Sequence, residues 1–190
     1  MLKPKVPVSR AVFSIIAVLN CAAVAVAENR FSLVAPGAPL PRVVAGSHAM
    51  EQDAAADLCR YLSRISGRDI TVSDKASSGK ITIHVGRDRF VEKHVGMIHK
   101  LRADGYVIRC LERDGRLHLV LAGNVGRASQ WAVERFLADH CGVRWLFPDR
   151  VHGEVVPSRK TITVDRRLSK TVEPDFVNRA NCGMYFFSPP

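Results

Sequence analysis

Seven histidines invite a metal centre, but their spacing argues against one. His94 and His99 stand five apart, which on a helix turns them about 140° from each other. There is no His-Glu-x-x-His pattern and no Cys/His pair with ligand spacing. We expect no metal and no cofactor. Gly123-Asn124-Val125-Gly126-Arg127 lies between a strand pattern and a helix pattern, where backbone N–H groups can meet an anion. It lacks the Lys-Ser/Thr of a phosphate loop and the third glycine of a dinucleotide loop, so it reads as a turn and helix start. No Gly-x-Ser-x-Gly nucleophile motif occurs. Asp149 and Glu154 are the nearest thing to a carboxylate pair for glycoside hydrolysis, and their surroundings read as a solvated surface turn. No residue is therefore assigned a catalytic role.

Two tryptophans could stack on a sugar ring or on a neighbouring domain. Trp131 follows a helical stripe from which it is rotated about 160° relative to Val133. It faces either a surface outside the domain's own core or the underside of a loop. Trp145 falls inside the apolar run 143–147 and is expected to be core.

The elements that must position these residues follow from periodicity. Residues 31–34 and 42–45 are short strands around a proline-rich loop. From Ala49 to Ser66 the period becomes helical: Ala54, Leu58, Leu62 and Ile65 share a stripe, Glu51 and Asp53 open it, Arg60 and Arg64 close it, and Gly67 stops it. Strands are predicted at 69–72 and 80–85, a short helix near 87–94, and a hairpin of 105–111 with 116–121 across Asp114-Gly115. A second long helix is predicted over 127–140, with Val133, Phe136, Leu137 and His140 inward and Gly142 as its terminator. Strands at 154–156 and 161–164 follow. The implied fold class is α/β, an α+β sandwich with a mostly antiparallel or mixed sheet and two main helices on one face.

Composition bounds the rest. The 190 residues are 47% hydrophobic and 24% charged, which suits one globular domain with tails and excludes a wholly disordered chain. Residues 1–27 read as a secretory signal peptide: Lys3, Lys5 and Arg10 precede an apolar stretch at 11–26 that ends in Ala25-Val26-Ala27. That stretch is shorter than the roughly 20 residues of a membrane span. We expect a periplasmic or secreted product with no membrane association after cleavage. Removal of residues 1–27 takes away three bases and no acid, and the net charge falls from +10 to +7. The remaining bases are scattered in runs of at most two, so no nucleic-acid partner is expected. Cys59, Cys110, Cys141 and Cys182 allow three complete pairings, and free buried thiols are an equal reading.

Several stretches together resemble a known family. Ala54-Ala55-Ala56-Asp57-Leu58-Cys59-Arg60-Tyr61-Leu62-Ser63-Arg64-Ile65-Ser66-Gly67 is similar to a helix of the non-catalytic N-terminal domains of α-glucuronidase-like and β-N-acetylhexosaminidase-like glycoside hydrolases. So are Ile83-His84-Val85-Gly86-Arg87, Asp104-Gly105-Tyr106-Val107-Ile108-Arg109, Leu121-Ala122-Gly123-Asn124 and Cys141-Gly142-Val143-Arg144-Trp145-Leu146-Phe147-Pro148, in the same order. The resemblance implies an accessory domain over 28–168, then a linker and the start of a truncated catalytic (β/α)8 barrel over 169–190. It implies a barrel as partner in cis and a polysaccharide as the remoter one. Pro174, Phe176 and Arg179 resemble a first barrel strand whose arginine holds sugar hydroxyls, although Ala180 stands where the family has glycine. Arg179 is the expected substrate-binding residue. Trp131, Tyr185, Phe186 and Phe187 are the expected domain interface, because an exposed aromatic cluster needs a covering surface. The rival reading is a free-standing carbohydrate-binding module.

Overall fold

The computed structural model describes residues 29–73, 79–146 and 153–175. The expected signal peptide, Asp149, Arg179, Cys182 and the Tyr185, Phe186 and Phe187 cluster lie outside the described residues.

A five-stranded mixed sheet organises the molecule. Its order is β2 (Arg42–Ala45), β3 (Ile81–Val85), β5 (Arg116–Gly123), β4 (Tyr106–Arg113) and β9 (Ser169–Val172). The neighbours β2, β3 and β5 run parallel, and β4 is antiparallel to both β5 and β9. The β4–β5 hairpin turns at Asp114 and Gly115, both at positive φ, as that tight turn requires. Side chains alternate strictly. Ile83, Val85, Ile108, Leu119 and Leu121 face one layer, while Val107, Val120 and Ala122 face the other.

Two helices cover the first face, α1 (Ala49–Ser66) and α3 (Gly126–Phe136). Helix α1 buries the predicted stripe Ala54, Leu58, Leu62 and Ile65 together with Ala55, and ends at Gly67 in the left-handed conformation. Strands β1 (Arg30–Val34) and β8 (Ile162–Asp165) pair antiparallel and add Phe31, Leu33, Ile162 and Val164 to the same core. The second face is thinner. Helix α2 (Arg89–Val95) and a 3-10 turn at Ile98–Lys100 cover it with Val91, Val95 and Ile98. A two-stranded ribbon, β6 (Arg144–Trp145) with β7 (Glu154–Val155), completes the described elements.

Four expectations need correction. Residues 69–72 form no strand beyond one bridge between Val72 and Val43, because Ile70 is tied by its N–H to the Ser63 hydroxyl at 2.9 Å. The second long helix is α-helical only to Phe136. Its last turn, Leu137–Cys141, widens to a π turn that closes on Gly142, and His140 is half-buried. Residues 169–172 are not linker but the edge strand β9, whose half-exposed Ser-Lys-Thr-Val carries little apolar alternation. Trp145 is 43% exposed, not core, since no layer of the described residues covers the ribbon. Cys59, Cys110 and Cys141 are free and buried, and burial pushes their thiols up to about 11, 12 and 12.

One side chain links the carboxyl ends of the parallel strands. Glu51, in the first turn of α1, is 3% exposed. Its carboxyl accepts from the backbone N–H of Arg87 at 3.1 Å, after β3, and from the N–H of His48 at 3.4 Å, after β2. The Ser129 hydroxyl of α3 reaches it at 3.3 Å and also accepts from Gly123 N–H at the end of β5, at 3.0 Å. Gly46 and Gly86 leave the room it occupies: a Cβ on either would strike the carboxyl group. Truncation leaves three donors without their acceptor, the buried Ser129 hydroxyl and the partly buried N–H groups of Arg87 and His48, at about 1–3 kcal/mol for a fully buried group. Urea denaturation of Glu51→Ala should show a loss of roughly 2–4 kcal/mol. Glu51→Gln, which keeps one acceptor oxygen, should lose less. A Glu51→Ala variant as stable as the parent would refute the linking role.

Candidate functional site

Trp131 sits on the outer side of α3, where its ring packs against the core and also lines a cleft of about 250 Å³. Arg127 lies over the ring, 5.5 Å from its centroid, and pairs with Asp104 at 2.8 Å. Tyr106 of β4, Glu134 and Arg135 of α3, and Val172 of β9 complete the walls. The ring is thus partly buried against the domain's own core and partly open to the cleft. The cleft adjoins the end of the described chain. Arg102 fixes that end, its backbone N–H donating to the Glu173 carboxylate and its guanidinium to the Pro174 carbonyl, each at 3.0 Å.

Glu134 also lines a second, smaller cavity with Tyr61 and Trp145. The outer side of α3 therefore runs from the chain exit to the ribbon. There Trp145 is accompanied by exposed Leu146, at 56%, and Val155, at 51%. The ribbon is held to α1 by a closed set of polar contacts. The Trp145 indole N–H donates to the Tyr61 hydroxyl at 2.9 Å, and that hydroxyl donates to the Glu154 carboxylate at 2.6 Å. Arg64 reaches the other carboxylate oxygen at 2.9 Å. The Tyr61 and Trp145 rings meet edge to face at 5.6 Å. Glu154 is thus not the solvated turn residue expected from its neighbours. The spacing of Tyr61 and Arg64, three apart on one helix face, could have indicated a shared partner but not which one.

Charges respond to these contacts. The Tyr61 hydrogen bond, then that of Arg64, hold the Glu154 carboxyl below its ordinary value. Burial, then the bond to Glu154, raises Tyr61. Desolvation raises Glu134, against a hydrogen bond from Gln130, and nearby Asp57 adds to the rise. Glu134 and Asp57 border the same cavity, but at about 60 Å³ it holds roughly two waters and no sugar ring.

A histidine pair on the second face of the sheet is not evident from motif search. His84 of β3 and His118 of β5 meet ring nitrogen to ring nitrogen at 3.0 Å, and Asp88 takes the other His84 nitrogen. Phe90 stacks on His118 at 4.0 Å and on His84 at 4.5 Å. Both histidines fall on the Val120 side of a period-2 pattern, the one signal that could have paired them. Burial, then the neighbouring His84 and His94, lowers His118 to about 4. One shared proton and a stacked phenylalanine make this a fastening for α2. His94 also packs at a tilt against Phe90, at 4.6 Å, whereas His99 lines a separate cavity with Ile98 and Gly96.

No family model matches the chain, and no curated protein does. Among solved structures that it resembles is a family GH115 4-O-methyl-α-glucuronidase with specificity for decorated arabinogalactans. The identity is 16% and the TM-score 0.49, over 74% of this chain and 18% of that one. The chain therefore spans less than a fifth of that enzyme's length.

Among the groups held below their ordinary values, His118 and Glu154 illustrate the pH dependence, with the lowered His140 adding to the histidine part and Asp88 and Asp139 to the carboxylate part. His118 is lower in the folded state than its ordinary 6.5, so the unfolded chain binds more protons between about pH 4 and 6.5. Stability should fall as pH drops through that window. Glu154 is also lowered, so its contribution is present above the ordinary carboxylate range and is lost as pH falls through its folded value. Urea titrations at stepped pH should show a two-part decline. His118→Gln should flatten the first part and Tyr61→Phe the second. A parent profile that is flat from pH 7 to 4 would contradict the histidine assignment.

Proposed function

We propose that this chain is an exported, non-catalytic accessory domain of a polysaccharide-degrading glycoside hydrolase, and that its role is to buttress a (β/α)8 barrel. One observation carries the reading. The outer side of α3 begins at the point where residues 173–175 leave the sheet, passes the Trp131 cleft, and reaches the exposed Trp145, Leu146 and Val155. A domain joined after residue 175 is delivered onto that surface, which offers the aromatic anchors that dominate such contacts. The ordered set of motifs from Ala54 to Pro148 that resembles glycoside hydrolase N-terminal domains supports the same partner.

The test is genetic first and biochemical second. The reading frame downstream of residue 190 should encode alternating strand and helix patterns of a barrel, and a stop codon with no barrel sequence beyond it would overturn the proposal. With the barrel present, Trp145→Ala should weaken interdomain docking by at least about 2 kcal/mol, read as a separate, earlier unfolding step. Retention of polysaccharide by this chain alone, abolished by Trp131→Ala, would favour a free-standing carbohydrate-binding module instead. Hydrolysis of a glycoside by this chain alone at an enzyme-like rate would also sink the reading.

A further inference from the structure

The parallel strands β2 and β3 are neighbours, yet the helices that follow them lie on opposite faces of the sheet, α1 on the first and α2 on the second. In open α/β sheets that arrangement opens a crevice at the carboxyl ends of the two strands, where ligands bind. Here the crevice exists. It measures about 730 Å³, and Gly46, Ser47, Gln52, Arg87, Arg89 and Glu92 are among its walls. That volume is within the roughly 300–1,000 Å³ of small-molecule sites.

Three features of the walls define what fits. The floor is rigid, because Glu51 holds the Arg87 N–H from behind and Gly46 closes on the same carboxyl group. The cations are unspent: the guanidinium groups of Arg87 and Arg89 make no hydrogen bond or ion pair to a described residue. The anions are fewer. Asp88 is committed to His84 and to the N–H of Val91, which leaves Glu92 as a free carboxylate beside the two arginines. Two arginine forks match a carboxylate, while Glu92 would repel a phosphate dianion. Gln52, Ser47 and Glu92 together supply donors and acceptors for hydroxyl groups.

We propose that the crevice at the ends of β2 and β3 binds a small monocarboxylate that carries hydroxyl groups, with Arg87 and Arg89 on the carboxylate and Glu92 and Gln52 on the hydroxyls. A sugar acid and an open-chain hydroxy acid share this chemistry. The site does not depend on the accessory-domain reading, since it lies at the β2 edge of the sheet whereas the Trp131 cleft and the chain exit lie at the β9 edge.

The test is titration of the ¹⁵N-labelled full chain at constant ionic strength with four probes: galacturonate, gluconate, neutral galactose and inorganic phosphate. Galacturonate or gluconate should shift the Gly46 and Gly86 amide signals saturably, and whichever binds more tightly identifies the source. Galactose should bind at least tenfold more weakly. Arg87→Ala and Arg89→Ala should each weaken carboxylate binding by tenfold or more, with urea midpoints unchanged because both side chains are exposed and unpaired. Trp145→Ala should leave binding intact. Equal binding of galactose, tighter binding of phosphate, undiminished binding by the double variant, or no response to either acid would each overturn the proposal. None of these outcomes bears on the downstream reading frame, which tests the accessory role separately.

Discussion

A single buried carboxyl group sets the geometry at one end of this molecule. Burying a carboxylate costs several kcal/mol unless hydrogen bonds replace its water. Around Glu51 the replacements come from three separate segments: His48 after β2, Arg87 after β3 and Ser129 of α3. The bond to His48 is the local capping box of α1, whereas those to Arg87 and Ser129 span 36 and 78 residues, so the group joins the start of α1 to segments distant in sequence. Gly126 contributes to the same convergence, since a side chain there would strike the His48 ring that caps α1. The loops at the strand ends are consequently fixed from behind, and what their outer surfaces present is fixed with them.

The two faces of the sheet divide their tasks differently. On the first, α1 and α3 bury large aliphatic groups, and stability there rests on apolar area. On the second, a seven-residue helix covers little area, and the His84, His118 and Phe90 stack stands where a larger helix would place more aliphatics. A polar fastening of this kind depends on protonation, whereas an aliphatic one does not. The thinner face therefore carries the histidine part of the acid sensitivity, and the Glu154 contacts to α1 carry the carboxylate part.

Local signals were read from the sequence where the physics is local. Helix α1 carries its stripe, its acidic start and its glycine stop within eighteen residues, and its observed bounds are those expected. The Asp114-Gly115 hairpin is equally self-contained. What escaped was decided by distant partners. Ser169–Val172 has little strand pattern of its own and becomes a strand because β4 offers an open edge. Trp145 lies in an apolar run that suggests burial, yet among the described residues the two-residue ribbon leaves it exposed. The loss of α-geometry after Phe136 follows from closure on Gly142 rather than from any helix breaker within residues 137–141. Of the expected interface residues, Trp131 does border an open cleft, whereas the crevice beside Arg87 had no sequence signature because its walls come from β2, α1 and the start of α2.

The polarity of the Trp145 surface bears on what would cover it. A sugar-binding platform needs a bare aromatic face with hydrogen-bonding groups free beside it, since each hydroxyl withdrawn from water must find a partner. Here the indole N–H is spent on Tyr61, the Tyr61 hydroxyl on Glu154, and Glu154 is shared with Arg64. What remains outward on the ribbon includes ring and aliphatic surface, Trp145, Leu146 and Val155, flanked by the half-exposed Arg60 and Arg64. Such a surface gains by meeting another apolar surface and gains little from a hydroxyl-rich chain. The internal pairing also fixes the ribbon before any partner arrives, so less conformational entropy is lost on docking. Both effects favour a protein surface over a glycan at Trp145 more than at Trp131, where the Arg127–Asp104 pair lies against the ring.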